Sequence, residues 1–167
     1  AAGFAPVAIG TETNGSIICP SQSNGIVGLK PTVGLVPGKG IIPIAWSQDV
    51  AGPMAKSVED AMLVLEVIAD PDPENPAKIK NWPPQNWSAR PSLPAVLPEK
   101  PLLGKRIGVY TNSNGKDKRV DSLFSASQEM LRSLGASLVE IEEIFPSSKN
   151  YASYEVMLYE YQVGLNR

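Results

Sequence analysis

Serines, a single cysteine and a handful of lysines are the side chains here that could do covalent chemistry, and histidine is absent altogether. Without histidine, this chain can assemble no Ser-His-Asp triad, no Cys-His pair and no HExxH zinc site. One cysteine excludes an internal disulfide and a CxxC metal cluster. Cys19 has no histidine to draw off its proton, so it reads as a small buried apolar residue. Gly34-Leu35-Val36-Pro37-Gly38-Lys39-Gly40 looks like a phosphate loop at first sight. It lacks one residue between the glycines and has no Ser or Thr after the lysine, and with Pro37 inside it reads as a hairpin turn. Asn14-Gly15-Ser16 and Asn86-Trp87-Ser88 match the glycosylation sequon, a common pattern.

The remaining candidate is Gly10-Thr11-Glu12-Thr13-Asn14-Gly15-Ser16-Ile17, a polar, glycine-bearing turn that delivers a serine against the apolar pair Ile17-Ile18. Asn14 and Gly15 both tolerate positive φ, so successive N–H groups can converge as an anion nest. A serine beside such a nest could attack a carbonyl whose oxygen the N–H groups then stabilise. The alternative is an ordinary turn in which Ser16 caps a helix or strand end.

The elements that must position this turn follow from composition and periodicity. The chain has 167 residues, 43% apolar and 19% charged, enough for about one domain with a core. With 15 Lys+Arg against 17 Asp+Glu, the net charge of −2 gives no basic surface for direct nucleic-acid binding. No run of about 18 apolar residues exists for a transmembrane helix. Residues 1–56 hold 9 of the 14 glycines but only five charges, Glu12, Lys30, Lys39, Asp49 and Lys56. So little charge with so much glycine suggests buried strands and loops whose backbones approach closely.

Ser57 and Asp60 form a capping box ahead of Val58, Ala61, Met62, Leu65 and Ile68, which predicts a helix ending near Ala69. Residues 71–101 carry 9 of the 16 prolines and read as an extended surface excursion held down by Trp82 or Trp87. Arg106–Tyr110, a helix with Val120, Leu123, Phe124, Leu131 and Leu134 on one face and Gly135 as its stop, and Ser137–Ile141 predict a βαβ unit. From Tyr151 to Val163 the stripe Tyr154, Met157, Leu158 and Tyr161 predicts a helix packed on its aromatic face. The chain opens Ala1-Ala2-Gly3-Phe4 with no initiator Met, as if in mid-element, and is expected to be a fragment.

Gly10-Thr11-Glu12-Thr13-Asn14-Gly15-Ser16-Ile17-Ile18-Cys19-Pro20-Ser21 resembles the Gly-x-Asp-Thr-Gly-Gly-Ser-Ile-Arg-x-Pro-Ala core of the amidase signature family. The likeness continues through Asn24-Gly25-Ile26-Val27-Gly28-Leu29-Lys30-Pro31-Thr32 and Gly40-Ile41-Ile42-Pro43. It runs on through Ser47-Gln48-Asp49-Val50-Ala51-Gly52-Pro53-Met54-Ala55 and Val58-Glu59-Asp60-Ala61. Linked blocks in the right order are far more specific than any one of them.

The resemblance implies an α/β fold, a mixed sheet flanked by helices, incomplete in this chain, with residues 1–167 forming part of a single domain. It implies a serine amidase that works through an acyl-enzyme on a small-molecule amide, with no metal and no organic cofactor. By position Ser16 corresponds to the nucleophile, and Thr13, Asn14 and Gly15 lead into it along the loop whose N–H groups form the oxyanion hole. The family's lysine base and cis-serine lie upstream of these blocks, so the remainder of an amidase chain is the expected partner. Lys30, Lys39 and Lys56 do not match that lysine, and the isolated piece is expected to be inactive. A non-catalytic scaffold that keeps the fold, or a subunit of glutamyl-tRNA amidotransferase, remains open. Glu12 for Asp, Asn14 for Gly and Ile18 for Arg are departures from the pattern, and the first and last imply a rewired ion pair.

Overall fold

The computed structural model describes residues 2–70, 98–111, 115–144 and 150–166. The expected excursion, with Trp82 and Trp87, falls for the most part on 71–97, outside the described residues. The chain divides into two compact units, Ala1–Pro91 with Tyr151–Arg167, and Ser92–Asn150.

The first unit is organised by β3 (Val50–Ala55), the centre of a three-stranded antiparallel sheet of order β1-β3-β2. β1 (Val7–Glu12) pairs with it from Val7↔Ala55 to Glu12↔Val50, and the two-residue β2 (Val27–Gly28) pairs on the other side. Five of the six β3 residues are buried, as expected for a strand covered on both faces. Pro53 is tolerated inside it because its carbonyl, which points to the same side as its nitrogen, meets Leu29 just past the end of β2. The missing donor therefore falls where no ladder bond is demanded.

Between β1 and β2 lies α1 (Ile18–Ser23), a six-residue helix with no apolar period to announce it. Pro20 sits in its first turn, where a missing N–H breaks no helical bond. α2 (Val58–Ile68) starts where expected, with the Ser57 hydroxyl accepting the Asp60 N–H at 3.1 Å. It buries Ala61 and Leu65, the latter in a cluster with Leu35. Residues 34–40 do not form a tight hairpin turn: Leu35 N–H bonds Thr32 C=O and Ile41 N–H bonds Gly38 C=O, two turns in the long irregular connection from β2 to β3. The burial of Leu35 makes that connection part of the core.

Near the chain's end, α4 (Asn150–Leu165) packs against the residues that precede β3. Its expected aromatic face is not the packed one. Tyr154, Leu158 and Tyr161 are exposed. The packed stripe is Met157, Glu160 and Gly164, rotated from the aromatic one, with the exposed Ser153 bonding Gln48 one turn before it, and Glu160 and Ser153 act through polar contacts that a hydrophobic pattern does not register.

The second unit is the βαβ expected from the sequence. β4 (Arg106–Tyr110) and β5 (Ser137–Ile141) are parallel, with Arg106 opposite Ser137, and α3 (Lys118–Ser133) connects them. Gly135 at φ 96° ends α3, its N–H bonding Arg132 C=O while Ala136 N–H reaches Leu131 C=O. Phe124, Leu131 and Leu134 are half-buried, whereas Val120 and Leu123 turn out to be exposed. The α/β reading holds, with both strand orientations present in two small sheets among the described residues.

Candidate active site

β1 ends at Glu12 and Ile17 caps α1, so Thr13, Asn14, Gly15 and Ser16 are the whole connection between strand and helix. Ser16 and Asn14 are exposed, and Thr13 and Gly15 are half-buried. Gly15 has φ 91°, a left-handed conformation that an L side chain resists, and its carbonyl accepts the Cys19 N–H at 2.8 Å. Cys19 is exposed, not buried, because the first turn of α1 presents it on the outer side.

Three tethers hold this loop. The first is steric. Ile17 is wholly buried and lies over three glycines, one from each strand. A Cβ added at Gly10, Gly28 or Gly52 would fall 3.1, 3.0 or 3.1 Å from an Ile17 side-chain atom. The glycine-rich composition thus has a location: it clears a floor on the sheet for the residue that follows Ser16.

Glu12 supplies the second tether. It is 5% exposed and shares the sheet face of Gly10 and Gly52, since side chains alternate along a strand. Its Oε2 accepts the N–H of Ile17 at 2.8 Å and of Ile18 at 3.0 Å. Burial pushes this carboxyl up, but the N–H groups of Ile18, Gly15 and Ile17 and the charge of Lys30 outweigh it and hold its pKa below the ordinary value. Glu12 therefore needs no arginine at position 18. Its Oε2 binds the backbone N–H of that residue instead.

The third tether is Asp49. Because Glu12 faces Val50 in the β1–β3 register, Thr13 comes next to Asp49, and its hydroxyl donates to Asp49 Oδ1 at 2.5 Å. The other oxygen, Oδ2, accepts the N–H groups of Ile44 at 2.8 Å and Ala45 at 2.9 Å. A cavity of about 270 Å³ opens on this side of the loop, lined by Glu12, Thr13 and Asp49 and by the apolar Ile41, Ile44 and Trp46.

An exposed serine thus stands in a short loop pinned at both ends. That geometry suits attack on a carbonyl whose developing negative charge is met by fixed N–H groups. Among the described residues, no group of three or more His, Cys, Asp or Glu could hold a metal ion, and no helix is long and apolar enough to cross a membrane.

The model of the family described as Amidase matches residues 1–166. This chain belongs to the amidase family. Among solved structures it is similar to the peptide amidase of Stenotrophomonas maltophilia, 43% identical with a TM-score of 0.82 over 99% of this chain and 33% of that one. It is also similar to a glutamyl-tRNA(Gln) amidotransferase subunit of Cupriavidus necator, 40% identical over 84% of this chain and 30% of that protein. The structure of the corresponding amidotransferase subunit of Thermotoga maritima is 26% identical, with a TM-score of 0.76 over 99% of this chain and 35% of that one. The chain spans about a third of the length of these relatives.

Asp49 and Glu12 are the loop-holding residues whose part the motif blocks leave unstated. Both stand among the five charges of residues 1–56. An isolated acid in an apolar stretch is a group that must find hydrogen-bond donors, and that is the signal that marks them.

Proposed function

We propose that this chain is the nucleophile-bearing part of a serine amidase and that both of its compact units belong to one amidase domain. Ser16 Oγ attacks the carbonyl carbon of an amide, and the carbonyl oxygen becomes an oxyanion facing the N–H groups of Thr13 and Asn14, that of Gly15 being engaged by the Glu12 carboxylate. Collapse of that intermediate breaks the C–N bond and releases the amine with a proton, leaving an ester on Ser16. Water then cleaves the ester. The proton relay, a lysine acting through a second serine, comes from outside this chain, in keeping with its lack of histidine. The cavity beside Thr13 offers the substrate an apolar wall.

The observation that supports this reading is the tethering of the Thr13–Ser16 loop, with its exposed Ser16, by Ile17, Glu12 and Asp49 in a member of the amidase family. Ser16→Ala in the full-length protein tests it. Loss of a serine nucleophile lowers turnover by at least about 10³-fold and abolishes labelling by a fluorophosphonate, with an unchanged melting temperature. Labelling and turnover that survive the substitution would reduce Ser16 to a turn residue and the chain to a scaffold.

The 40% identity to an amidotransferase subunit supports a second reading, in which the same acyl-enzyme forms on an amide donor and ammonia passes to a partner protein. The two are separated by assay. Ammonia release from a peptide amide by the protein alone favours the hydrolase, and turnover that appears only with partner subunits favours the amidotransferase.

A further inference from the structure

We propose that Glu160 on α4 is a positioning residue for the oxyanion loop, acting through the turn Ile44–Asp49; this rests on the reading of Thr13–Ser16 as that loop. Glu160 is 6% exposed on a helix whose tyrosines and leucines are mostly out in solvent. A carboxylate taken out of water is costly unless hydrogen bonds satisfy it, and an apolar side chain would dock the helix at least as well. What the carboxylate adds is direction. Its Oε2 accepts both the backbone N–H of Ser47 at 3.0 Å and the Ser47 hydroxyl at 2.9 Å, across 113 positions of sequence. One residue on, Gln48 Nε2 donates to Ser153 C=O at 3.0 Å and Ser153 Oγ donates to Gln48 Oε1 at 3.2 Å. α4 therefore grips consecutive residues of one turn.

That turn is wound about Asp49. The N–H groups of Gln48 and Asp49 both reach Ala45 C=O, at 2.9 and 2.8 Å, and Asp49 Oδ2 takes the N–H groups of Ile44 and Ala45. Asp49 Oδ1 holds the Thr13 hydroxyl. A carboxylate is planar and rigid, so with one oxygen fixed in the turn the other has a defined place at the loop. Glu160, Ser47, Asp49 and Thr13 form a connected path from a distant helix to the first residue of the oxyanion loop.

A double-mutant cycle in the full-length protein tests this, using Glu160→Ala, Thr13→Val and the pair, with amide turnover and the rate of fluorophosphonate labelling as readouts. Thr13→Val removes the hydroxyl and keeps the backbone N–H. Displacing catalytic donors lowers kcat while substrate affinity is little changed, so Glu160→Ala should lower kcat roughly tenfold with KM within about twofold. In the Thr13→Val background the path is already cut, and the same substitution should change kcat by less than about twofold. Glu160→Gln keeps an amide oxygen for Ser47 and should stay within about threefold of the parent. If Glu160→Ala does not fold, Ser47→Ala replaces it in the cycle.

An equal loss in both backgrounds, or a lowered melting temperature with kcat unchanged, would show that Glu160 only docks the helix and would overturn the proposal. Ser16→Ala runs alongside: if that variant still labels, the reading of the loop has failed, whereas its silence together with additive effects of Glu160 and Thr13 rejects the path alone.

Discussion

The two compact units solve the same problem, fixing a helix against strands, by different means. In the Ser92–Asn150 unit the means are local. α3 is capped at one end by Asp117, which accepts the Arg119 N–H at 2.9 Å, and at the other by Gly135, and the parallel pairing follows from the crossover. No residue of α3 is buried, and Val109 and Ala136 are the buried apolar residues among the described residues of that unit. In the unit that holds Ser16 the means are distant. Ile17 is sealed by glycines from three strands, Thr13 is held by a residue 36 positions away and Ser47 by one 113 positions away. Capping and handedness suffice to build a secondary-structure motif. Holding four residues in a chosen arrangement requires contacts from everywhere around them.

The comparison breaks most sharply at the paired substitutions Ile17→Ala and Leu123→Ala. Removing a fully buried isoleucine that fills a floor of glycines should cost about 2–5 kcal/mol in chemical denaturation. Leu123, 72% exposed on α3, should cost no more than about 0.5 kcal/mol. Similar losses at both sites would mean that the two units are equally dependent on packing.

Next in size is a pair of carboxylates, Glu12 and Asp117, each held below its ordinary pKa. Backbone N–H groups do this for buried Glu12 against the opposing effect of burial, and the Arg119 guanidinium is the leading cause for exposed Asp117. Glu12→Ala leaves the Ile17 and Ile18 N–H groups without their acceptor and should cost about 2–3 kcal/mol. Asp117→Ala should cost distinctly less, since water takes over at an exposed cap. A depressed carboxyl stabilises the folded state above its unfolded pKa, and that stability drains away as pH falls through the folded pKa. The parent should accordingly lose stability on acidification more steeply than Glu12→Gln. Added salt sharpens the contrast: in NMR titrations at about 1 M salt the Asp117 pKa should return toward its ordinary value while that of Glu12 stays low, because screening reaches exposed pairs first. Equal movement of both would place Glu12 in contact with solvent.

The smallest effect expected has the opposite sign. Ser21 on α1 is 2% exposed, and its Oγ has no hydrogen-bond partner among the described residues. It packs so tightly against Gly28 that a Cβ there would lie 2.8 Å from the Ser21 Cβ. Ser21→Ala removes an unsatisfied buried hydroxyl and should raise stability by about 1 kcal/mol, seen as a higher melting temperature. An unchanged or lowered melting temperature would show that the hydroxyl finds a partner in solution.

Much of this molecule is legible in its sequence alone. The caps Ser57 and Gly135, the parallel βαβ between Arg106 and Ile141, and the serine loop 13–16 each depend on residues near one another in the chain, where type and spacing state the physics directly. The family, too, is written in ordered blocks of residues. What tertiary structure alone decided is what those residues meet. Cys19 lies outside, and α4 is held through Glu160 and Ser153, not through its aromatic stripe. Residues 34–40 form two turns with Leu35 in the core, where the sequence suggested a tight hairpin turn. The three glycines at 10, 28 and 52 are a seat for Ile17, which no local pattern states because they come from three different strands. The same holds for Asp49 and Glu160. A carboxylate's role is set by the donors that surround it, and here those donors arrive from other parts of the chain.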